Sequence, residues 1–310
     1  MKYRNVLRIA QWLLMAAAYG WLLWKLLTYD DWEGFCERFA MAGGRQYGAL
    51  FIVLLLCGAN VTAEALKWRV LLRGVVQLSF IEAFQQTLYG NVGGFFTPSR
   101  IGDYPMRALL LRNKDQWLAA VSLGFVGSAA LTLVLLLAGF PSAVILLERQ
   151  GGFRMAETIC AGVFILLAAS VAVYRPLATW LLHRKIHYPE KIRNVLAALS
   201  VFPYSRFMLV ILFSALRYAV WCIQLWLLLY FCGIRLPLVD ALTAIPAYYM
   251  LVTVTPSIPA ADAAVRGSWA VVVFGVLTHD IAAVAVAAVL MWLINGVLPM
   301  IAGSMMKERV

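Results

Sequence analysis

Charge is scarce in this chain. Only 13% of its 310 residues are Asp, Glu, Lys or Arg and 63% are hydrophobic, whereas a soluble domain is about a quarter charged. The mean hydropathy is +0.83. That shortage excludes a water-soluble enzyme with an ordinary polar surface, and equally a disordered or collagen-like chain. Cysteine is scarce too. Cys57, Cys160, Cys222 and Cys232 fall in apolar runs and Cys36 stands alone in a polar loop. With no C-x-x-C and no pairing logic, these read as inert thiols rather than a disulfide framework. His183 and His187 are four apart. Their basic surroundings hold no carboxylate or thiolate, so they read as a solvated face and not a metal site. No G-x-x-x-x-G-K-[ST] run is present, so no loop of that kind cradles a nucleotide phosphate. Neither a metal set nor a nucleophile–base constellation stands out, so no cofactor is implied and an enzyme has no positive support.

Long apolar runs are what the chain has. Segments of about 20 apolar residues suffice to cross a bilayer, and six qualify: roughly 7–27, 46–66, 117–140, 155–174, 207–232 and 280–303. The first mimics a cleavable leader at Ala16-Ala17-Ala18, but its apolar run continues to Leu27, which favours an uncleaved anchor. The 11 Trp and 13 Tyr suit a chain with two membrane interfaces. The formal charge of +11 would suggest nucleic acid in a soluble protein, but here it first reports sidedness. With the N-terminus in the cytoplasm and six crossings, most Lys and Arg fall inside, from Lys2, Arg4 and Arg8 to Lys307 and Arg309. The first external loop is acidic, with Asp30, Asp31, Glu33 and Glu37. Both termini are therefore expected inside.

Two apolar stretches, 80–111 and 239–278, are broken by Pro or Gly near their middle. The charge bias requires each to enter and leave on one side, as a re-entrant hairpin or broken helix. They also resemble each other. Shifted by 158 residues, Thr97-Pro98-Ser99 falls on Thr255-Pro256-Ser257, and Glu82 on Asp240. With one inserted residue, Asp103 falls on Asp262 and Arg107 on Arg266. Each half, 1–150 and 151–310, then has three crossings and one hairpin, so the halves are inverted. The expected fold is an all-α polytopic membrane protein, a single membrane domain with about six transmembrane helices and two hairpins in an inverted repeat. Such repeats with broken helices at their interface are common in transporters.

The residues that carry chemistry cluster at these breaks. Pro98 and Pro256 each disfavour helix at the preceding Thr, and Pro259 adds another break. Ser99 and Ser257 are placed to cap a helix that starts just after, and a helix N-terminus suits a phosphate. Arg100, Asp103 and Arg107 then share one helix face, and Asp262 and Arg266 repeat the acid–base pair. Gly93 and Gly94, with Gly90, form the hairpin tip or let helices pack. The second hairpin has Tyr248-Tyr249 instead, so the two are not chemically equivalent. Ionisable groups at membrane depth are costly and seldom idle, which adds Glu64, Arg217 and Asp280 as secondary candidates. Glu64 reads either as an interfacial partner of Lys67 or as a partner for Arg217.

The run Asn91…Pro98-Ser99-Arg100-Ile101-Gly102-Asp103-Tyr104-Pro105-Met106-Arg107 resembles the N…P-x-R-x-G-E-x-x-R signature of the lysylphosphatidylglycerol-synthase transmembrane-region, or flippase-like, family. Pro256-Ser257-Ile258-Pro259…Asp262 is similar to that family's second Pro-rich, acidic motif. The chain departs from the pattern with Asp103 and Asp262 where the family usually has Glu. The resemblance implies an inner-membrane protein of lipid metabolism, of the stand-alone kind without the aminoacyl-transferase domain. It implies movement of an anionic phospholipid or polyisoprenoid-linked headgroup between leaflets. The expected partner is membrane lipid and not nucleic acid. The alternatives are an accessory protein that presents lipid to an envelope-biosynthesis enzyme, or a membrane enzyme acting on a lipid-linked substrate.

Overall fold

The computed structural model describes residues 24, 27, 32–40, 42–149, 162, 169, 173, 175–184, 190–255, 257 and 261–306. Among these residues the chain is helical with no strand. Helix α1 spans Trp32–Ala40 and α2 spans Gly44–Leu72. The first broken stretch forms α3, Phe80–Phe96, and α4, Asp103–Leu109. Next come α5, Trp117–Arg149, α6, Glu190–Val201, and α7, Tyr204–Phe231. The second broken stretch forms α8, Leu238–Val254, and α9, Asp262–Phe274. The last segment is α10, Ile281–Trp292, a π-helical turn Leu293–Val297, and α11, Leu298–Ser304.

Among the described residues four helices are long and apolar enough to cross a membrane: α2, α5, α7 and the continuous Ile281–Ser304. They coincide with four of the six spans read from the sequence. The other two, 7–27 and 155–174, fall almost wholly outside the described residues. Only 33% to 50% of each apolar window is buried by protein. Side chains such as Phe51 and Leu55 on α2 and Leu212 and Leu216 on α7 are left exposed. Apolar faces of that extent need a non-aqueous surround.

Both hairpins are interrupted by the same physics. A capping box starts α3: Glu82 N–H donates to Ser79 Oγ at 3.2 Å, and Ser79 N–H to Glu82 Oε2 at 2.9 Å. The Ser79 backbone donor, with its hydroxyl, holds the Glu82 carboxyl below the usual carboxylate range. At the other end Thr97 is extended (φ −116°, ψ 144°) because Pro98 follows. Thr255 ends α8 in the same way, at φ −85° and ψ 114° before Pro256. Pro256 and Pro259 lie outside the described residues.

Gly93 and Gly94 do not break the first hairpin, contrary to the sequence expectation. Helix α3 runs through both, and the break lies at Pro98–Gly102. Their role is close approach. A Cβ on Gly93 would fall on Met106 and the Gly102 carbonyl, and one on Gly90 would fall on Asp103 and Arg107. Lacking these carbons, α4 folds flat against α3.

Two helix ranges correspond: α3 at 80–96 and α8 at 238–254 are offset by 158 residues. Packing repeats too. Helix α5 lies on α8 and α11 lies on α3, while α2 and α7 pack on each other. At the α5–α8 crossing Gly139 meets the Pro246 carbonyl and the Met250 side chain. At the α11–α3 crossing Gly303 meets the Leu88 carbonyl and the Val92 side chain. Leu88 and Val92 correspond to Pro246 and Met250 under the same shift.

A Cβ at either crossing meets backbone, which cannot swing aside. Gly139→Ala and Gly303→Ala are each expected to destabilise by about 1–3 kcal/mol, seen as a lower thermal unfolding midpoint in detergent. Gly58→Ala, with nothing within 4 Å of the new carbon, should be neutral or gain up to about 1 kcal/mol. Equal midpoints for all three variants would disprove the crossings as tight contacts.

Candidate functional site

Helix α2 carries Asn60, Glu64 and Lys67 on one stripe, all buried. The Glu64 carboxylate is the hub. Its Oε2 lies 2.7 Å from Lys67 Nζ, and its Oε1 accepts from Arg107 Nη1 at 2.9 Å. Arg217 of α7 also donates to Oε2. Arg107 in turn binds Asp103 through two bonds, Nε to Oδ1 at 2.6 Å and Nη2 to Oδ2 at 3.0 Å. Its guanidinium carbon sits 5.4 Å from the Trp68 ring centre and 4.9 Å from that of Tyr104. Such a planar fork between carboxylates and aromatic faces is a place for arginine and not lysine. Arg217 donates to Asn60 Oδ1 at 2.8 Å, and Asn60 Nδ2 to Asn295 Oδ1 at 3.0 Å. Trp68 Nε1 donates to Gln86 Oε1 at 2.7 Å. One network thus ties α2, α3, α4, α7 and the π turn.

The two broken-helix motifs meet beside it. Ser99 N–H donates to the Ser257 carbonyl at 3.2 Å. Thr97 Oγ1 donates to the Gly93 carbonyl and accepts from Gly102 N–H, both at 2.8 Å. Thr255 plays the matching part: its Oγ1 donates to the Leu251 carbonyl at 2.7 Å and accepts from Trp269 Nε1 at 2.9 Å. Ser99 and Arg100 have φ of +49° and +57°, left-handed values that strain a side-chain-bearing residue. Arg100 Nη2 donates to Asn91 Oδ1 at 2.5 Å. The residue as a whole is exposed, but its guanidinium is part-buried at Asn91, within the field of Asp103, Arg217, Arg266 and Asp262. In the second motif Arg266 Nε donates to Asp262 Oδ2 at 3.1 Å, and Ser257 Oγ to Asp262 Oδ1 at 3.2 Å. Lys67, Arg100, Arg107, Arg217 and Arg266 are five cations against the three carboxylates Glu64, Asp103 and Asp262. At neutral pH the cluster keeps an excess of positive charge inside an apolar helical body.

Several sequence expectations are revised by this geometry. The serines do not cap the following helices: α4 begins after Gly102 and α9 after Ala261, neither with a side-chain cap. Arg100 lies in the turn before α4 and not on its face, because the Pro98 break extends through Gly102. Helix α4 has only seven residues, too few for a useful dipole end. Arg107 is 1% exposed and its fork is occupied by protein carboxylates. Asp280 caps α10 by accepting from Ala283 N–H at 3.1 Å. Glu64 and Arg217 belong to the hub. Lys67 read as an interfacial charge because it stands near a span end, and nothing in the local pattern pointed to Asn295 or Gln86.

Removing one partner from a buried ion cluster costs about 3–5 kcal/mol. Glu64→Gln leaves three cations facing an amide, and Arg107→Lys loses the two-bond fork. Both are expected to cut the thermal midpoint and the monodisperse yield in detergent sharply. Arg112→Ala, which breaks an exposed pair with Glu82 at 3.2 Å, should change neither. If Glu64→Gln is as stable as Arg112→Ala, the hub is not structural.

The family model for the lysylphosphatidylglycerol synthase TM region matches residues 9–303, nearly the whole chain. No curated protein matches the chain. The chain belongs to the lysylphosphatidylglycerol synthase TM region family and is a multi-pass membrane protein.

Proposed function

We propose that this member of the lysylphosphatidylglycerol synthase TM region family moves the anionic headgroup of a membrane lipid between leaflets of the cytoplasmic (inner) membrane. The substrate is a phospholipid or a polyisoprenoid-linked lipid. The observation that carries the reading is the positively charged cluster where the two broken-helix motifs meet. Buried charge is costly at membrane depth, and an unbalanced cluster attracts an anion. Arg100, which lies within the field of Arg266, and Arg266 itself carry planar guanidinium forks that suit a phosphate.

The architecture we propose for this activity is an inverted repeat of two halves, roughly 1–150 and 151–310, with the termini on the cytoplasmic side. Matching helix ranges and the paired glycine crossings support the repeat. The Lys and Arg bias supports the sidedness. Inverted repeats lend themselves to alternate exposure of a central site by rocking one half against the other.

The test is leaflet exchange in liposomes containing purified protein and a fluorescent anionic lipid. Wild-type protein should equilibrate the lipid faster than protein-free liposomes. Arg100→Ala combined with Arg266→Ala should slow exchange by about tenfold or more, the effect of losing one or two charge-assisted hydrogen bonds. A chain that moves no lipid but co-purifies with an envelope-biosynthesis enzyme would instead be an accessory protein.

A further inference from the structure

Away from the central cluster, cations and aromatic rings meet at a second place. Residues 175–183 are helical. Pro176, Thr179, Trp180 and His183 stand at i, i+3, i+4 and i+7, on one face. With Arg175 and Tyr204 they line an open hollow of about 530 Å³. The Arg175 guanidinium carbon lies 5.7 Å from the centre of the Tyr204 ring, and that of Arg184 lies 4.1 Å from the Trp180 ring. Arg175 Nε donates to the Ser200 carbonyl at 3.0 Å, which uses one of its five N–H donors. His183 Nδ1 donates to the Thr179 carbonyl at 2.7 Å. Both arginines are thus braced by rings, and among the described residues no carboxylate pairs with either.

The depth of the hollow follows from Tyr204. It is the first residue of α7, one of the helices able to cross the membrane. The hollow therefore lies where that span meets its interface, the level at which Trp and Tyr anchor. The hub is elsewhere, since Arg217 is about 20 Å further along α7. The local charge is strongly one-sided. Between 175 and 206 the chain has Arg175, Arg184, Lys185, Lys191, Arg193 and Arg206 against the lone carboxylate Glu190. Basic, aromatic-walled hollows at headgroup depth suit anionic lipid. The exposed Leu177, next to Pro176 in the chain, adds apolar surface for an acyl chain.

We propose that this hollow seats the phosphate of an anionic phospholipid in the leaflet that α7 enters, at a site separate from the central cluster. The guanidinium forks of Arg175 and Arg184 take phosphate oxygens. Trp180 and Tyr204 hold the two guanidiniums in place and meet the glycerol region of the lipid. The seat does not depend on the translocation reading.

The test is native mass spectrometry of the purified full chain in detergent, titrated with short-chain phosphatidylglycerol or short-chain phosphatidylcholine. It is run in wild type and in the Arg100→Ala plus Arg266→Ala background, which leaves the central cluster out. In both, phosphatidylglycerol should bind about tenfold more tightly than phosphatidylcholine. Arg184→Gln, at an exposed side chain, should weaken phosphatidylglycerol several-fold. Adding Arg175→Gln should bring the loss to about tenfold or more, as expected when one or two charge-assisted hydrogen bonds go. Arg175→Lys keeps the charge without the fork and should fall between. Because Arg175 also holds Ser200, Arg184→Gln keeps the test independent of any loss of folding. Arg193→Gln, an exposed cation outside the hollow, should bind as wild type does. Equal affinity for the two lipids overturns the seat, and so does wild-type affinity in the Arg175→Gln plus Arg184→Gln variant. An equal loss in Arg193→Gln overturns it too, in favour of diffuse surface charge. Displacement of phosphatidylglycerol by inorganic phosphate at equal concentration overturns the lipid in favour of a free anion, and failure to displace it supports the lipid. Leaflet exchange by wild type with undiminished binding by the variants sinks the seat and leaves translocation standing. Arginine-dependent binding in a chain that exchanges no lipid does the reverse.

Discussion

The carboxylate of Glu64 is the constraint around which the rest of the interior is arranged. Three cations from three elements converge on it: Lys67 from α2, Arg107 from α4 and Arg217 from α7. None of them could remain buried in an apolar surround without a counter-charge. Arg107 ties the short helix α4 into the protein together with Tyr104 and Ala108, which are buried in the apolar core beside it. That tie needs the flat approach of α4 to α3, and the approach in turn needs Gly90 and Gly93. Electrostatics at the hub and the absence of side chains on α3 are thus two halves of one requirement. The excess positive charge lies partly at the hub, where Lys67, Arg107 and Arg217 meet only Glu64 and Asp103, and partly on Arg100, while Arg266 and Asp262 balance each other.

The two broken segments match in their frame and differ in their chemistry. Helix ends fall at corresponding residues, the same Thr–Pro step stops α3 and α8, and Gly139 and Gly303 meet corresponding carbonyls. Within that frame Gly90 faces Tyr248 and Asn91 faces Tyr249 across the shift. The Asp103–Arg107 pair is buried, with side chains 11% and 2% exposed, whereas those of Asp262 and Arg266 are 24% and 23% exposed.

Much of this was legible in the sequence because it depends on local rules. An apolar run of sufficient length marks a span, and a residue before proline leaves the helix, as Thr97 and Thr255 do. The spacing of Asp103 to Arg107 and of Asp262 to Arg266 gives an ion pair one helical turn apart, and both pairs form. What escaped depends on distant segments meeting. Lys67 looks interfacial when α2 is read alone, because its burial comes from α5, where the Gly127 carbonyl accepts from it at 3.4 Å. Ser99 looks like a cap, but its backbone is committed to Ser257 of the second broken-helix motif. Gly93 and Gly94 look like a break, since glycine is a poor helix former, while the requirement they meet is the thickness of a neighbouring helix.

The π-helical turn at Leu293–Val297 has a consequence for how the last span tolerates length changes. A π turn accommodates one residue more than an α-helix would over the same rise, and each residue rotates a helix by about 100°. Everything beyond the turn is therefore rotated by that angle against an unbroken α-helix. Asn295, which receives Asn60, lies in the turn, and Gly303, which meets Leu88, lies two turns beyond it. Deleting one residue in the turn would restore plain α-helix over the same rise and keep Gly303 at the α3 crossing, but would remove the bulge that carries Asn295 to Asn60. Deleting one from the regular helix between the turn and Gly303 would instead rotate that glycine off the crossing by about 100°. The span is thus indexed like a gear with one tooth of slack, and the slack sits at the turn.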